Sequence, residues 1–409
     1  MLNKIWAGFF FVAFLAGLVQ TFFLGHGTVF QEMVGAAFDL AKTAFEIALG
    51  LTGVLCLWLG IMRLGEKGGA ADGLARLFGP LLRRLFPGIP AGHPATGSIV
   101  MNMAANMLGL DNAATPLGLK AMRELQEINP DPERASNDQI LFLVINTSAV
   151  TLIPITIFTY RAQQGAVDPT DIFIPILIAT FCSTLVGLLV TAAVQRLRLW
   201  DRVILAYLGG MTALVAGLVL YFASLDREVL KAQSSLVANF AIFTVIIAFL
   251  LAAAWRRVPL YETFVEGAKD GFKVAVTIIP YLVAMLVAIG VFRASGALDL
   301  LLDGVRAGAG SIGLDTRWVD GLPTALMKPL SGSGARGMML ETMQAHGADS
   351  FAGRLVSVIQ GSTETTFYVL AVYFGSVGIR KTRHAVACGL AADAAGIIAA
   401  ILVSYLFFS

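Results

Sequence analysis

Long apolar runs alternate with short polar or basic segments along almost the whole chain. The runs Ile5–Phe23, Ala44–Met62, Ile140–Tyr160, Ile172–Val194, Val203–Phe222, Leu236–Ala254, Val274–Phe292, Leu355–Phe374 and Ala385–Phe408 each approach the ~20 residues that a bilayer core requires, and predict membrane-spanning helices. Two other apolar stretches are interrupted. Ala95–Met122 contains Asn102, Asn106, Asp111, Asn112 and Pro116, and Leu322–Met343 contains Lys328, Pro329, Ser331, Ser333 and Arg336 among several glycines. Neither can face lipid as a plain helix, because irregular backbone at membrane depth must be buried in protein or line a cavity. Both are therefore expected to be re-entrant helical hairpins. The stretch Leu74–Phe86, with Arg76, Arg83 and Arg84, fits an interfacial amphipathic helix and equally well a basic loop.

Composition turns this pattern into a fold class. Of 409 residues, 57% are hydrophobic and 14% charged, with a mean hydropathy of +0.78. A soluble domain carries roughly 25% charged residues, so lipid must solvate part of this surface. The expectation is an all-α integral membrane protein with about nine crossings, two hairpins and an inverted-topology repeat. The first run, Ile5–Phe23, is longer than a signal-peptide core of about 7–15 residues and is read as a retained span. Net charge is +2, too balanced for a nucleic-acid partner. Cys56, Cys182 and Cys388 lie in separate apolar runs and suggest neither disulfide nor zinc site.

The chain is also internally similar. Leu141, Val144, Ile145, Asn146, Ser148 and Thr151 recur as Leu355, Val358, Ile359, Gln360, Ser362 and Thr365, and the Asp39/Lys42 pair recurs as Asp270/Lys273. Each half reads as a long helix, a broken hairpin, a polar-centred helix and a plain helix, dividing the chain into 1–199 and 200–409. Basic residues orient it. Arg63, Lys67, Arg76, Arg83 and Arg84 follow the second span, Arg196, Arg198 and Arg202 the fourth, Arg256 and Arg257 the sixth, and Arg380, Lys381 and Arg383 precede the last. Placing these loops in the cytoplasm gives a cytoplasmic N-terminus in a bacterial plasma membrane. The two long helices then run in opposite directions.

Residues with chemical capacity collect at the interruptions. The first half supplies Asn102, Asn106, Asn112 and Thr115, then Asn146, Thr147, Ser148 and Thr151; the second supplies Ser331, Ser333 and Arg336, then Gln360, Ser362, Thr363, Glu364 and Thr365. Interrupted helices expose N–H and C=O groups that can replace the hydration of a solute. For Ser148, Thr151 and Thr365, interhelical packing is an equally good explanation. The amides are harder to account for in that way, because each must satisfy several hydrogen bonds. Glu364 stands inside an apolar span, where a carboxylate is expensive; it is expected either to couple transport to a cation or to form an ion pair with Lys328 or Arg336. Asp393 is a second acid within a span, without an assigned role. No HExxH, Walker A loop or nucleophile elbow with a plausible triad occurs, and His26, His93, His346 and His384 form no cluster, so neither an enzyme nor a cofactor is expected.

Residues 102–122, NMAANMLGLDNAATPLGLKAM, with INTSAVTLIP at 145–154, resemble the spore maturation protein A family. Residues 323–339, PTALMKPLSGSGARGMM, with DSFAGRLVSVIQGSTETTFYVLAVYFGSVGI at 349–379, resemble spore maturation protein B. Both are similar to the nucleoside-recognition or Gate group, which is related to concentrative nucleoside transporters and to the membrane region of a ferrous-iron transporter. The resemblance implies two hairpins and two unwound helices, and it likens Gln360–Thr365 to the Gln-Thr-Glu segment with which nucleoside transporters hold ribose. The expected function is secondary transport or export of a small polar solute (nucleoside-like, amino-acid-like or a small carboxylate), with H+ or Na+ as the coupling ion. The alternative is a non-transporting scaffold or partner subunit in envelope or spore maturation. The bilayer is the expected environment, and a homo-oligomer stays open.

Overall fold

The computed structural model describes residues 2–109 and 111–409; the side chains of residues 2, 3, 5, 111–113, 227 and 231 fall outside that description. The chain is all-α, with no β-strand among the described residues. Its first half comprises α1 (Leu2–Phe23), α2 (Val29–Gly68), α3 (Ala70–Leu85), α4 (Pro94–Met107), α5 (Asp111–Glu127), α6 (Asn137–Thr147), α7 (Ile155–Gln163) and α8 (Phe173–Gln195). The second comprises α9 (Arg202–Ala223), α10 (Arg227–Trp255), α11 (Leu260–Ala294), α12 (Ala297–Ser311), α13 (Leu322–Met327), α14 (Gly332–His346), α15 (Phe351–Ser362), α16 (Thr366–Ser376) and α17 (Ala385–Phe408).

Among the described residues, α1, α2, α8, α9, α10, α11 and α17 are long and apolar enough to cross a membrane. The two other expected spans are not continuous helices. Residues 148–154 separate α6 from α7, and residues 363–365 separate α15 from α16. The same residue chemistry operates at both places. Ser and Thr side chains compete for backbone partners, and Pro154 cannot donate to a helix ladder. Ser148 Oγ and Thr147 Oγ1 both turn back onto the Val144 carbonyl, at 2.8 and 3.0 Å. The segment Leu74–Phe86 lies largely in helix α3, which buries Leu81, Leu82 and Leu85 and starts behind Gly69. Gly69 ends α2 at φ 76°, and its N–H donates to the Glu66 carbonyl at 3.0 Å, a left-handed cap for which glycine is best suited. The corresponding helix of the second half, α12, lacks an obvious basic stripe and escapes sequence reading.

The longest interface joins α2 to α11. A Cβ on Gly271 would come within 2.7 Å of Cys56 Cα, and one on Gly60 within 2.6 Å of Phe264. Residue number rises along one helix as it falls along the other, so the two long helices are antiparallel. Lys42 pairs with Glu46 at 3.7 Å, whereas Lys273 pairs with Asp270 at 3.3 Å, so the expected Asp39–Lys42 pair is replaced by a helix neighbour one turn on. Helices α8 and α17 cross in the same antiparallel sense, with Gly187 against Ala392 and Gly396 against Ser183. Because the Gly271 contact is to backbone, side-chain motion cannot relieve it. Gly271→Val is expected to destabilise the protein by about 1–3 kcal/mol through overpacking, read as a lower unfolding temperature in detergent.

Polar contacts sort the loops into two ends. At one, Lys67 Nζ meets Glu266 at 2.6 Å, Arg256 meets Asp72 at 2.9 Å, Arg84 meets Asp201 at 3.0 Å, and Gln195 lies 3.0 Å from His384. Lys381 and Arg134 bridge there too. At the other end, Arg161 meets Asp349 at 3.1 Å, Val167 N–H donates to Asp349 at 2.9 Å, and Tyr405 Oη donates to Asp315 at 2.7 Å.

Candidate functional site

The two interrupted helices, one from each half, touch at their breaks: the Glu364 N–H donates to the Thr147 carbonyl at 2.7 Å. Each hairpin is fastened to the break of its own half. Leu152 N–H donates to the Met107 carbonyl at 2.9 Å, and Phe367 N–H donates to the Pro329 carbonyl at 3.0 Å. Backbone groups orphaned where a helix stops must find partners in a low-dielectric interior, and here they find one another.

On the first half, three amides form a ladder. Asn102 Nδ2 donates to the Ala114 carbonyl at 2.7 Å and ties the hairpin arms together. Asn106 Nδ2 donates to Asn146 Oδ1 at 2.7 Å and to Asn102 Oδ1 at 3.3 Å, and Asn146 Nδ2 donates to the Phe142 carbonyl at 2.8 Å. The sequence-predicted residues Asn102, Asn106 and Asn146 are therefore one unit joining hairpin to broken helix, with Asn102 and Asn146 buried and Asn106 half-buried. Thr151 is half-buried near its own loop carbonyl, and Thr115 is exposed on α5, next to the Ala114 carbonyl that Asn102 engages. The side chains of Asp111 and Asn112 lie outside the described residues.

The second half is arranged differently. Pro329 interrupts the hairpin, and Ser331 restarts it by capping α14, its Oγ accepting from Gly334 N–H at 3.0 Å. Ser333 Oγ lies 3.3 Å from Ser331 Oγ, and Arg336 Nε donates to the Gly332 carbonyl at 3.2 Å. Gly332 packs at Thr365, so hairpin and break are in contact. Thr363 and Thr365 have extended backbone, with φ −149° and −85°. Successive side chains of an extended segment point to opposite sides. Thr363 and Thr365 are accordingly buried, at 4% and 5% exposure, while Glu364 points outward and is exposed. The enclosed carboxylate expected from the sequence is thus an accessible one, and Arg336, an expected ion-pair partner, turns to its own helix.

One neighbour of these residues was not recognisable in the sequence. Tyr373 of α16 packs on the first hairpin at Gly118 beside Asn102, stacks on Phe142 with centroids 5.9 Å apart, and feels the charge of Glu364. It brings the broken helix of the second half against the amide ladder of the first. Asp393 is 1% exposed on α17 and faces Thr363, Thr366 and Lys328. An aromatic in an apolar run carries no distinguishing pattern; the two charged residues do, since both stand in apolar context, but their juxtaposition is tertiary. Among the described residues no group of three or more His, Cys, Asp or Glu is placed to hold a metal.

Antiparallel long helices, hairpins and two broken helices meeting at their breaks define a multi-pass all-α membrane protein of transporter-like architecture. The chain belongs to the Gate (nucleoside recognition) family, whose sequence profile matches residues 48–163 and 275–380. It is 50% identical over 171 residues to spore maturation protein B of Bacillus subtilis (strain 168), covering 42% of this chain and 94% of that protein. It is 43% identical over 183 residues to spore maturation protein A of the same organism, covering 45% of this chain and 90% of that protein. No solved structure matches it.

Proposed function

We propose that the chain is a secondary transporter or exporter of a small polar solute, working by alternating access between its halves, 1–199 and 200–409, as inverted repeats. The observation that carries this reading is the bond between the two breaks, Glu364 N–H to Thr147 C=O at 2.7 Å. Broken helices at a repeat interface present backbone dipoles and polar side chains to a solute, and rocking of one half against the other changes which side reaches them. Membership of a nucleoside-recognition family supports a nucleoside-like solute, with amino-acid-like and small carboxylate solutes as the other classes to be tested. Glu364, exposed at the bond between the two breaks, serves as the solute-facing carboxylate, and no chemical step is required.

The test is a thermal-shift screen of the full chain in detergent against nucleosides, amino acids and small dicarboxylates, followed by counterflow in liposomes. One class should raise the unfolding temperature saturably and exchange across the membrane. Asn106→Ala and Ser333→Ala should each weaken its binding, and Glu364→Gln should weaken it at least tenfold, as expected for loss of a hydrogen bond to a charged group worth about 1.5–3 kcal/mol. The amide ladder also favours a second reading, a non-transporting scaffold in envelope or spore maturation, because Asn102, Asn106 and Asn146 already satisfy one another. Absence of binding and counterflow for all three classes would select it.

The charge distribution supports a bacterial plasma-membrane orientation. Lys67, Arg84, Arg256 and Lys381 share one end, which the excess of basic residues assigns to the cytoplasm, along with the N-terminus. Single cysteines at Gly165 should then label from outside and at Lys381 only after permeabilisation. Labelling of both from one side would refute the arrangement.

A further inference from the structure

The carboxyl of Asp393 is the least explained polar group in the molecule. It lies in the middle of α17, 1% exposed, and neither Oδ1 nor Oδ2 makes a well-formed hydrogen bond. The hydroxyls of Thr363 and Thr366 face it closely enough to act on the carboxyl as donors, as does the Lys328 ammonium, but neither hydroxyl closes a well-formed hydrogen bond. A buried ionisable group left in this condition is costly, and native structures rarely keep one without a ligand or a proton.

The surroundings are shaped around it. Gly389 and Gly396 flank Asp393 on the same face of α17. A Cβ on Gly389 would lie 2.7 Å from Thr366 Cγ2; one on Gly396 would lie 2.7 Å from Thr363 Cγ2 and 3.2 Å from the Ser362 carbonyl oxygen. The two glycines thus let the α15–α16 break press against α17, with Asp393 between. Ser362 is the last residue of α15, so the negative end of that half-helix is aimed at the same place. At the break of the first half Thr184 Oγ1 donates to the Ser148 carbonyl, and Ser183, which packs on Gly396, donates to the Ala392 carbonyl at 2.9 Å.

We infer that Asp393, Thr363 and Thr366, with the carbonyl end of α15, bind a monovalent alkali cation, Na+, between α17 and the α15–α16 break. The donors are all hard oxygens, with no sulfur or imidazole among them, which suits an alkali or alkaline-earth ion over a transition metal. One carboxylate, with the Lys328 ammonium acting on it from the hairpin, supplies too little negative charge for a divalent ion, whose sites rely on several anionic oxygens. Because the break also carries Glu364 and Thr365, occupancy of this position would fix the segment on which the proposed solute site depends. The cation site itself does not rest on the transport reading or on the identity of a solute.

The experiment measures thermal unfolding of the full chain in detergent at fixed pH and ionic strength, replacing choline chloride stepwise by NaCl or KCl, with no solute added. The expected result is a saturable rise in unfolding temperature with Na+, a midpoint at least tenfold higher for K+, and none with choline. Asp393→Asn should abolish the rise. Thr366→Val, which keeps shape and charge, should raise the Na+ midpoint at least tenfold and covers the case in which Asp393→Asn does not fold. Glu364→Gln should leave the rise intact, which separates this site from the solute-facing carboxylate. No Na+-specific rise in the wild-type chain, a rise that survives Asp393→Asn or is unaltered by Thr366→Val, or a response to pH alone would overturn the inference, the last identifying a proton as the ligand.

Discussion

Arg161→Met is expected to destabilise the protein by about 3–5 kcal/mol, the cost of leaving buried carboxylates without their cation. Arg161 is completely buried, a rare state for a residue that stays charged. Its guanidinium donates to Asp171 at 2.9 Å, to Asp349 at 3.1 Å and to the Ala348 carbonyl at 2.7 Å, so it joins the α7–α8 loop of one half to the α14–α15 loop of the other. Arg354 adds a bond to Asp171 at 2.7 Å and stacks over the Phe408 ring at 5.3 Å. Burial pushes the Asp171 carboxyl up, against the pull of Arg161 and Arg354. Removing Arg161 removes part of that pull, and Asp171 should take up a proton at higher pH. Asp168 is opposite in sign. Burial raises it, but the Ser235 and Thr170 hydroxyls, the Thr170 N–H and Asn239 together hold it below the usual carboxylate range. A depressed carboxylate stabilises above its ordinary value near about 4, and that contribution is lost as pH falls through the folded value. Acid should therefore remove the contribution of Asp168, while protonation of Asp171, whose folded value is raised, works in the opposite direction. Thermal unfolding of wild type and Arg161→Met between pH 3 and 7 checks both statements, and a variant as stable as wild type at pH 7 would show that the pair of halves is held elsewhere.

Separating the chain between Leu199 and Trp200 should yield two fragments that fail alone and recover together. The cut falls in the loop between α8 and α9, where no helix is broken. Each fragment alone would expose a face shaped for the other: the glycine contacts of α11 on α2, those of α17 on α8, and the open carbonyl of Thr147. In lipid such faces gain little from apolar burial and depend on close packing and hydrogen bonds, which a single fragment cannot make. Co-expressed fragments should co-purify as a 1:1 complex with an unfolding temperature near that of the intact chain. Monodisperse, thermally cooperative 1–199 on its own would contradict this.

How much was legible beforehand depended on whether the signal was local. Apolar run length marked the long helices, and polar residues with proline marked both hairpins. The amide ladder was half-visible: the types of Asn102, Asn106 and Asn146 pointed to a demanding environment, but not to one another.

The sequence by itself determined that this chain is an all-α membrane protein with interrupted helices in each half, because apolar length, proline and Ser/Thr content act within a few residues of where they stand. Only the tertiary structure decided which acid is enclosed. Glu364, the obvious carboxylate, turns outward because the extended residues on either side of it turn inward. Asp393, in a smooth Ala- and Gly-rich helix, is sealed in because its glycines admit the neighbouring break. Run length and residue type carry no information about which side of an extended segment faces the interior, or which two helices come close enough to bury a charge between them.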